Sequence, residues 1–243
     1  RWQPLSINGI LNVNKPVGPT SFRVVSQIRR WSGEKKVGHA GTLDPQASGT
    51  FPVCLGQATR IVPYFLDSPK TYLAKVKLGI ATDTYDGEGK VVRQGDPSGV
   101  TRGQLEAALE PFRGKFWQKP PPFSALKYQG QRLYQLARAG VAVDPAPRPV
   151  EIFRLDLKDW SPPELTLEVE CGRGIYLRSL AFDLGEALGC GGYLKELVRL
   201  RYGIFSLEQA VSLPQLELAF QSGEWRSLLY PPDVVLAEWQ KIT

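Results

Sequence analysis

The sequence predicts an α/β protein in which helices flank a sheet. Alternation of apolar and polar residues indicates half-buried strands, whereas apolar residues spaced by three and four indicate amphipathic helices. Both patterns recur along the 243 residues, and a hydrophobic content of 42% is typical of a globular rather than a disordered chain. This length allows one large domain, or one domain with a small appendage.

The first half of the chain is predicted to alternate between strands and helices. Residues 9–14 are mostly apolar and end at a lysine-proline step, which is typical of a strand before a turn. Thr20 or Ser21 can cap the next helix, because a hydroxyl oxygen there accepts a backbone N–H. After a glycine-rich loop follow a buried strand at 51–55, a helix at 58–66, an alternating strand at 72–78 and a helix capped by Thr101 with Gln104.

The second half begins with a change in composition. Pro120 to Pro122 cannot continue a helix, and residues 123–149 mix basic and aromatic side chains around a short predicted helix. Such a segment suits nucleic acid, because cations contact phosphates and rings stack on bases; a proline-rich surface excursion is the alternative. Then follow an alternating strand at 165–171, a helix that stops at Gly189, and a helical tail that begins at Ser212 with Gln215.

Residues 38–49 are the most informative segment for chemistry. They combine the chain's single histidine, His39, with Asp44 and three glycines. Glycine adopts backbone angles that other residues avoid, so such a loop can bring a carboxylate close to a ligand. Asp44 before Pro45 is also a common helix start, with the aspartate as the cap. Spacing alone leaves both interpretations open, and the segment lacks the glycine patterns of nucleotide-binding loops.

Charge and cysteine content limit the class of protein. The 30 Lys and Arg against 24 Asp and Glu give a net charge of +6, which favours an acidic partner such as nucleic acid; a mildly basic enzyme is the alternative. The three cysteines, Cys54, Cys171 and Cys190, form no C-x-x-C pair and are predicted to be reduced core residues. Without a bilayer-spanning run or a signal-peptide pattern, we expect a cytoplasmic protein that does not bind membranes.

Four blocks of sequence together resemble the bacterial TruB family of tRNA pseudouridine synthases. They are Asn14-Lys15-Pro16 with Gly18-Pro19-Thr20-Ser21, Gly38 to Pro45 with Ser48-Gly49, Pro121 to Lys127, and Cys171-Gly172 with Gly174 to Ser179. The blocks lie in the family's order over residues 9–205, so the resemblance is distributed along the chain. Ala40 departs from the threonine that many members have. Many members also carry an RNA-binding PUA domain, which we do not expect here.

The resemblance implies a fold, a domain division and a reaction. The fold would be that of pseudouridine synthases, a mixed, largely antiparallel sheet flanked by helices. Residues 1–211 would form the catalytic domain, with an RNA-binding thumb at 123–149, and residues 212–243 a helical tail without a PUA domain. The chain would isomerise a uridine in the tRNA T-loop to pseudouridine. It would act as a monomer, with no metal, no organic cofactor and no obligatory protein partner.

The resemblance also assigns three catalytic residues. Asp44 would be the nucleophile, attacking the sugar or assisting glycosidic cleavage. Tyr72 would stack on the extruded base, although from periodicity alone it is a core tyrosine. Arg178 would pair with Asp44 and oppose the desolvation that raises the pKa of a carboxyl group; a surface arginine at a helix start is the alternative.

Binding roles are implied for five further residues. Tyr176 and Leu197 would line the base pocket, although a leucine among residues 193–200 is more often plain core. His39 would fill space left by the flipped base rather than act as a base. Lys127 and Arg132 would contact RNA. Lys15 and Pro16 are interpreted as architectural residues beneath the loop.

Three other functions compete with the favoured one. A tRNA-binding folding helper would need the RNA grip more than Asp44. A guide-RNA-dependent synthase of the dyskerin type would need partner proteins, and the region from Pro120 to Lys127 favours the stand-alone bacterial type instead. An unrelated hydrolase with an aspartate nucleophile would act on small substrates and ignore RNA.

Overall fold

A computed structural model describes residues 7–141 and 143–242. The predicted catalytic domain, thumb and tail include positions 1–6, 142 and 243, which lie outside the described residues. The domain division at 211/212 stays a prediction.

The described residues form fourteen strands and seven α-helices. In chain order the strands are β1 (Gly9–Lys15), β2 (Val37–His39), β3 (Ala47–Leu55), β4 (Lys70–Leu78), β5 (Ile80–Thr82), β6 (Val91–Gln94), β7 (Gly114–Gln118), β8 (Lys127–Tyr128), β9 (Gln131–Arg132), β10 (Arg148–Ser161), β11 (Glu164–Cys171), β12 (Gly192–Tyr202), β13 (Phe205–Ser206) and β14 (Val211–Ser212). The α-helices are α1 (Ser21–Ser32), α2 (Val62–Phe65), α3 (Arg102–Leu109), α4 (Leu133–Arg138), α5 (Leu177–Ala187), α6 (Leu213–Ser222) and α7 (Asp233–Ile242).

The chain divides into two compact units. The first unit combines the residues up to 72 with those from 197 onward, and the second unit contains residues 73–196. Strands β4 and β12 each have residues in both units.

The first unit is built around β3. Along one edge of β3, the whole of β1 pairs antiparallel with it, from Gly9 opposite Leu55 to Lys15 opposite Gly49. Its other edge is shared, because β2 pairs antiparallel with the end of β3 whereas the C-terminal part of β12 runs parallel to its start. Strand β14 pairs parallel with β1. The segment between β2 and β3 therefore begins where the neighbour of β3 changes from β2 to β12.

An aromatic cluster forms the core of the first unit. Phe65 stacks on Phe205 at 5.6 Å between ring centroids and meets Tyr202 edge-on at the same distance. Ile10 and Cys54 pack into the same cluster. Burial of each large apolar side chain contributes about 1.5–3 kcal/mol, so this cluster fixes the strands that carry the Asp44 segment.

The second unit has the strand order β4-β11-β10-β7, in which β10 pairs antiparallel with both β11 and β7. The alternation of β11 places Leu165, Leu167 and Val169 on its fully buried face. Helix α3 packs against β10 and α5. Antiparallel and parallel pairs thus occur together with flanking helices, which confirms the predicted fold class of a mixed, largely antiparallel sheet.

Two predicted elements needed correction. The predicted helix at 58–66 is a 3₁₀ helix over Gly56–Ile61 followed by the short α2. Pro63 explains this break, because it has no N–H to donate to a carbonyl four residues earlier. The 38–49 segment is not loop throughout, since it contains the end of β2 and the start of β3.

All three cysteines are buried and free, as predicted. Among the described residues, no helix is both long and apolar enough to cross a membrane.

Candidate active site

Asp44 lies in a tight turn between β2 and β3. The Ala47 N–H donates to the Asp44 carbonyl at 2.9 Å, and β3 starts at once, so no helix begins here and the helix-cap interpretation is wrong. Asp44 is exposed, whereas Leu43 and Ala47 on either side are 3% and 2% exposed. The turn therefore presents the Asp44 carboxylate to solvent between two buried anchor residues, Leu43 and Ala47. We call residues 40–46 the Asp44 loop.

The start of α1 holds the Asp44 loop on both sides of the aspartate. The buried Ser21 hydroxyl accepts from the Leu43 N–H at 3.0 Å and donates to the Leu43 carbonyl at 2.8 Å. The Gly18 N–H donates to the Pro45 carbonyl at 2.8 Å. The conformation on either side of Asp44 is thereby fixed by hydrogen bonds of the Ser21 hydroxyl and the Gly18 backbone with main-chain groups of the loop.

Lys15 supports the same loop from beneath. Its side chain is fully buried, and its ammonium donates to the carbonyls of Pro16 and Ala47, each at 2.8 Å. Burial lowers the pKa of Lys15 to about 8; the charge of Asp44 opposes this shift and that of Arg199 adds to it. A cation that is costly to bury is thus placed within electrostatic reach of Asp44.

Arg199 is a second buried cation at the loop, and sequence reasoning missed it. It is 1% exposed, and its Nε donates to the Thr50 carbonyl at 2.8 Å. Its Nη2 donates to the Gly41 carbonyl at 3.5 Å, and its guanidinium carbon lies 4.8 Å from the centroid of the Tyr202 ring. The strand carries three other charged residues, so the sequence alone did not distinguish Arg199 from them.

His39 lies at the end of β2 and is half-buried, with its ring centroid 5.1 Å from that of Phe51. Burial lowers the pKa of His39, and Arg199 adds to this effect, whereas a Gly41 backbone hydrogen bond opposes it. A neutral imidazole is expected at pH 7, because the ordinary pKa of histidine is already about 6.5. Its predicted steric role toward the flipped base stays a prediction.

Leu197 and Tyr72 complete the predicted residues of the first unit. The β12 register places Leu197 opposite Ala47, directly after the Asp44 loop, and leaves it half-buried. Tyr72 is 8% exposed on the buried face of β4. The structure therefore brings Leu197 to the loop, and it confirms the alternation that made a core interpretation of Tyr72 possible.

In the second unit, Tyr176 and Arg178 lie at the start of α5. The Gln118 side chain accepts from the Tyr176 N–H at 2.8 Å and donates to the Tyr176 carbonyl at 3.1 Å. This pair of bonds fixes the backbone just before the helix. Gln118 was not predicted, because no local pattern connects it to a residue 58 positions away.

Arg178 is buried, at 8% exposure, so the alternative of a surface arginine is wrong. Its guanidinium donates to the carbonyls of Thr84 at 3.2 Å and Phe123 at 3.0 Å. A carboxylate oxygen of Asp86 lies 3.8 Å from the same group. Sequence reasoning did not single out Asp86, so its role as an ionic partner of Arg178 was missed.

The two predicted RNA contacts face each other in a small hairpin. Lys127 in β8 pairs across the strands with Arg132 in β9, and both are exposed. Helix α4 follows, with the Arg138 guanidinium 5.7 Å from the Tyr134 ring. The hairpin thus displays cations next to an aromatic side chain. Within the described residues no group of three or more His, Cys, Asp or Glu side chains is arranged to hold a metal ion.

Comparison with solved structures identifies proteins of the same fold. A chain in the crystal structure of a Cbf5-Nop10-Gar1 complex matches over 95% of this chain with a TM-score of 0.75 and 28% identity. A chain in the structure of an H/ACA RNP bound to a substrate RNA containing 2'-deoxyuridine matches over 95% with a TM-score of 0.71 and 26% identity. This chain spans only 62% and 61% of those two chains. The fold is that of a pseudouridine synthase.

Sequence comparison narrows the class further. The model of the TruB family pseudouridylate synthase N-terminal domain matches residues 29–177, and that of the tRNA pseudouridylate synthase B C-terminal domain matches residues 178–237. The tRNA pseudouridine synthase B of Dehalococcoides mccartyi strain 195 is 46% identical over 98% of this chain and 79% of its own length. That of Symbiobacterium thermophilum is 45% identical over 98% and 78%. The chain belongs to the TruB family of tRNA pseudouridine synthases, which are isomerases.

Proposed function

We propose that this chain converts a uridine in the T-loop of tRNA to pseudouridine, with Asp44 as the nucleophile. The observation that carries the proposal is the exposed Asp44 carboxylate on a turn whose backbone is held by hydrogen bonds at Leu43 and Pro45. A nucleophile must reach the reacting carbon in a fixed orientation, and such positioning supplies a large part of a catalysed rate.

The proposed reaction rearranges one nucleotide without an external reactant. The bond between N1 of uracil and C1′ of ribose breaks, and a bond between C5 and C1′ forms. C5 loses its proton and N1 gains one, so substrate and product are isomers. Asp44 would either attack C1′ or assist departure of the base, and in both cases its carboxylate stabilises positive charge that develops on the sugar.

The base must leave the RNA stack before it can react. Unstacking costs a few kcal/mol, which contacts in the site must offset. Tyr72, Tyr176 and Leu197 are proposed to hold the extruded uracil, and His39 to fill the space that it leaves. The register of Leu197 beside the Asp44 loop supports its role in this pocket. Arg178 as the ionic partner of Asp44 stays a prediction.

The RNA itself is proposed to contact the hairpin at Lys127 and Arg132. Both side chains are exposed, and the chain carries a net charge of +6. Cations that contact phosphates release counterions, so tRNA binding should weaken as salt is raised.

A guide-RNA-dependent synthase is the second candidate, because the structural matches include a Cbf5-Nop10-Gar1 complex. The relative from Dehalococcoides mccartyi is more similar in sequence, at 46% against 28% identity, and its name specifies tRNA. This difference supports a stand-alone enzyme, which would act as a monomer. The purified chain should convert a tRNA transcript without guide RNA or added protein; strict dependence on either would favour the second candidate.

The decisive experiment compares wild type with Asp44→Asn on an unmodified tRNA transcript. Asparagine keeps the shape but not the charge or nucleophilicity, so we expect tRNA binding to persist while the rate falls by about 10,000-fold or more. The rate is measured as tritium release from 5-tritiated uridine, and the modified position is mapped to the T-loop. Asp96→Asn is the matched control, because Asp96 also precedes a proline in an exposed turn.

Three results would contradict the proposal in different ways. Conversion retained in Asp44→Asn would exclude Asp44 as the nucleophile. Wild type that binds tRNA without converting it would favour the tRNA-folding helper. Wild type that neither binds nor converts tRNA would exclude tRNA as the substrate.

A further inference from the structure

Arg199 connects the two ends of the segment that carries Asp44. Its Nη2 donates to the carbonyl of Gly41, three residues before Asp44, and its Nε donates to the carbonyl of Thr50, six residues after it. These are different nitrogens of one planar group. The guanidinium therefore works as a rigid bridge across the base of the turn, which a flexible point charge cannot reproduce.

The glycines of the segment fit this bridge. At Gly49, opposite Arg199 in the parallel β3–β12 pair, an added Cβ would lie 2.2 Å from the Arg199 carbonyl oxygen. At Gly41, an added Cβ would lie 3.2 Å from the ring of Tyr202, which the guanidinium also contacts. The backbone before and after Asp44 thus approaches Arg199 and Tyr202 more closely than other residues would permit.

The environment of Arg199 is unusual for a buried charge. In the part of the chain that the structure describes, no carboxylate oxygen lies within salt-bridge distance of its guanidinium, and its contacts are two carbonyls and an aromatic face. Burial of a charge without an ionic partner is costly, so an apolar residue would serve stability at least as well. The charge is also felt at the site, since it lowers the pKa values of both His39 and Lys15.

We infer that Arg199 is a positioning residue for the Asp44 carboxylate: it holds Gly41 and Thr50 at a fixed separation and so sets the orientation of the turn between them. The inference rests on the proposed role of Asp44. Because Arg199 is buried and cannot contact tRNA, its loss should lower the reaction rate without changing tRNA affinity.

The test uses Arg199→Met, which keeps an unbranched side chain but removes the charge and both donors. The single-turnover rate should fall by about 100-fold, as expected for a small misplacement of a reacting group, while tRNA affinity is unchanged. Arg199→Lys should restore part of the rate, because it returns the charge but donates from one nitrogen only. Arg201→Met, an exposed arginine of the same strand, is the control and should react like wild type.

A second readout does not depend on the reaction. Hydrogen exchange of peptides covering residues 38–50 should be faster in Arg199→Met than in wild type, with the remaining peptides unchanged. If Arg199→Met fails to melt cooperatively, the single-turnover rate and the hydrogen exchange of residues 38–50 are measured on Arg199→Lys instead.

The outcomes distinguish this inference from the proposed function. A folded Arg199→Met with the wild-type rate, or with a loss confined to tRNA affinity, would overturn the inference. If wild type converted no T-loop uridine, the proposed function would fail. Exchange would then decide about Arg199: faster exchange confined to 38–50 supports the bridge, and unchanged exchange refutes it.

Discussion

Gly49→Ala tests whether β3, directly after the Asp44 loop, must approach β12 as closely as the structure indicates. The backbone of Gly49 has a φ of +111°, and an added Cβ would lie 2.2 Å from the carbonyl oxygen and 2.6 Å from the nitrogen of Arg199. These are backbone atoms of a paired strand, so the clash cannot be relieved by rotation of a side chain. Alanine at this position must push β3 and β12 apart.

The expected loss in the free energy of unfolding of Gly49→Ala has two parts, and substitutions at two other glycines measure them separately. A positive φ costs a residue with a Cβ about 1–3 kcal/mol, and the clash adds the loss of pairing between β3 and β12, where each buried group left unsatisfied costs about 1–3 kcal/mol. At Gly18, φ is +113° but nothing lies within 4 Å of the added Cβ, so Gly18→Ala carries only the first cost. At Gly99 the added Cβ is also in open space and no positive φ applies.

The assay is urea denaturation of the three variants, followed by circular dichroism. Gly99→Ala should leave the free energy of unfolding unchanged or raise it by up to about 1 kcal/mol, through the reduced entropy of the unfolded chain. Gly18→Ala should lower it by about 1–3 kcal/mol, and Gly49→Ala by at least about 2 kcal/mol more. If Gly49→Ala were no less stable than Gly18→Ala, the close approach of β3 to β12 would be refuted.

Two further predictions concern the charged groups of the site. Asp86→Asn removes the carboxylate 3.8 Å from Arg178 and should lower the single-turnover rate by about 10- to 100-fold without weakening tRNA binding; an unchanged rate would show that Asp86 has no influence on Arg178 during the reaction. Lys15 loses its proton near pH 8 in the folded protein, whereas in the unfolded chain it keeps the proton up to about pH 10.5. The free energy of unfolding of wild type should therefore rise relative to that of Lys15→Met as the pH rises through this window. A difference between the two proteins that stays constant with pH in urea denaturation would contradict the lowered pKa.

The elements that the sequence predicted correctly depend on neighbours along the chain. The Thr20 hydroxyl accepts from the Arg23 N–H, and the capping boxes at Thr101 and Ser212 are both formed, since each contact spans three residues. The alternation of residues 72–78 and 165–171 likewise gave strands with one buried face. The fold class follows from such local signals because periodicity determines which face of an element is buried.

The candidate site was predictable only in part, because its supports come from distant positions. The resemblance pointed to Asp44, and the structure shows that it is exposed on a turn rather than capping a helix. The bond from Arg199 to Thr50 spans 149 residues, and that from Gln118 to Tyr176 spans 58. No periodicity or spacing rule encodes such pairs, and without them Arg199, Gln118 and Asp86 have no distinguishing pattern.

A shared feature of the buried cations explains why these supports are hard to find in a sequence. Lys15 binds the carbonyls of Pro16 and Ala47, Arg199 those of Gly41 and Thr50, and Arg178 those of Thr84 and Phe123. Each cation thus joins two main-chain carbonyls. Carbonyls are available at every residue, so the partner position needs no particular amino acid and leaves no complementary signal. Substitutions at the cations should therefore disturb the site, whereas most substitutions at the carbonyl partners should not, provided that the backbone keeps its path.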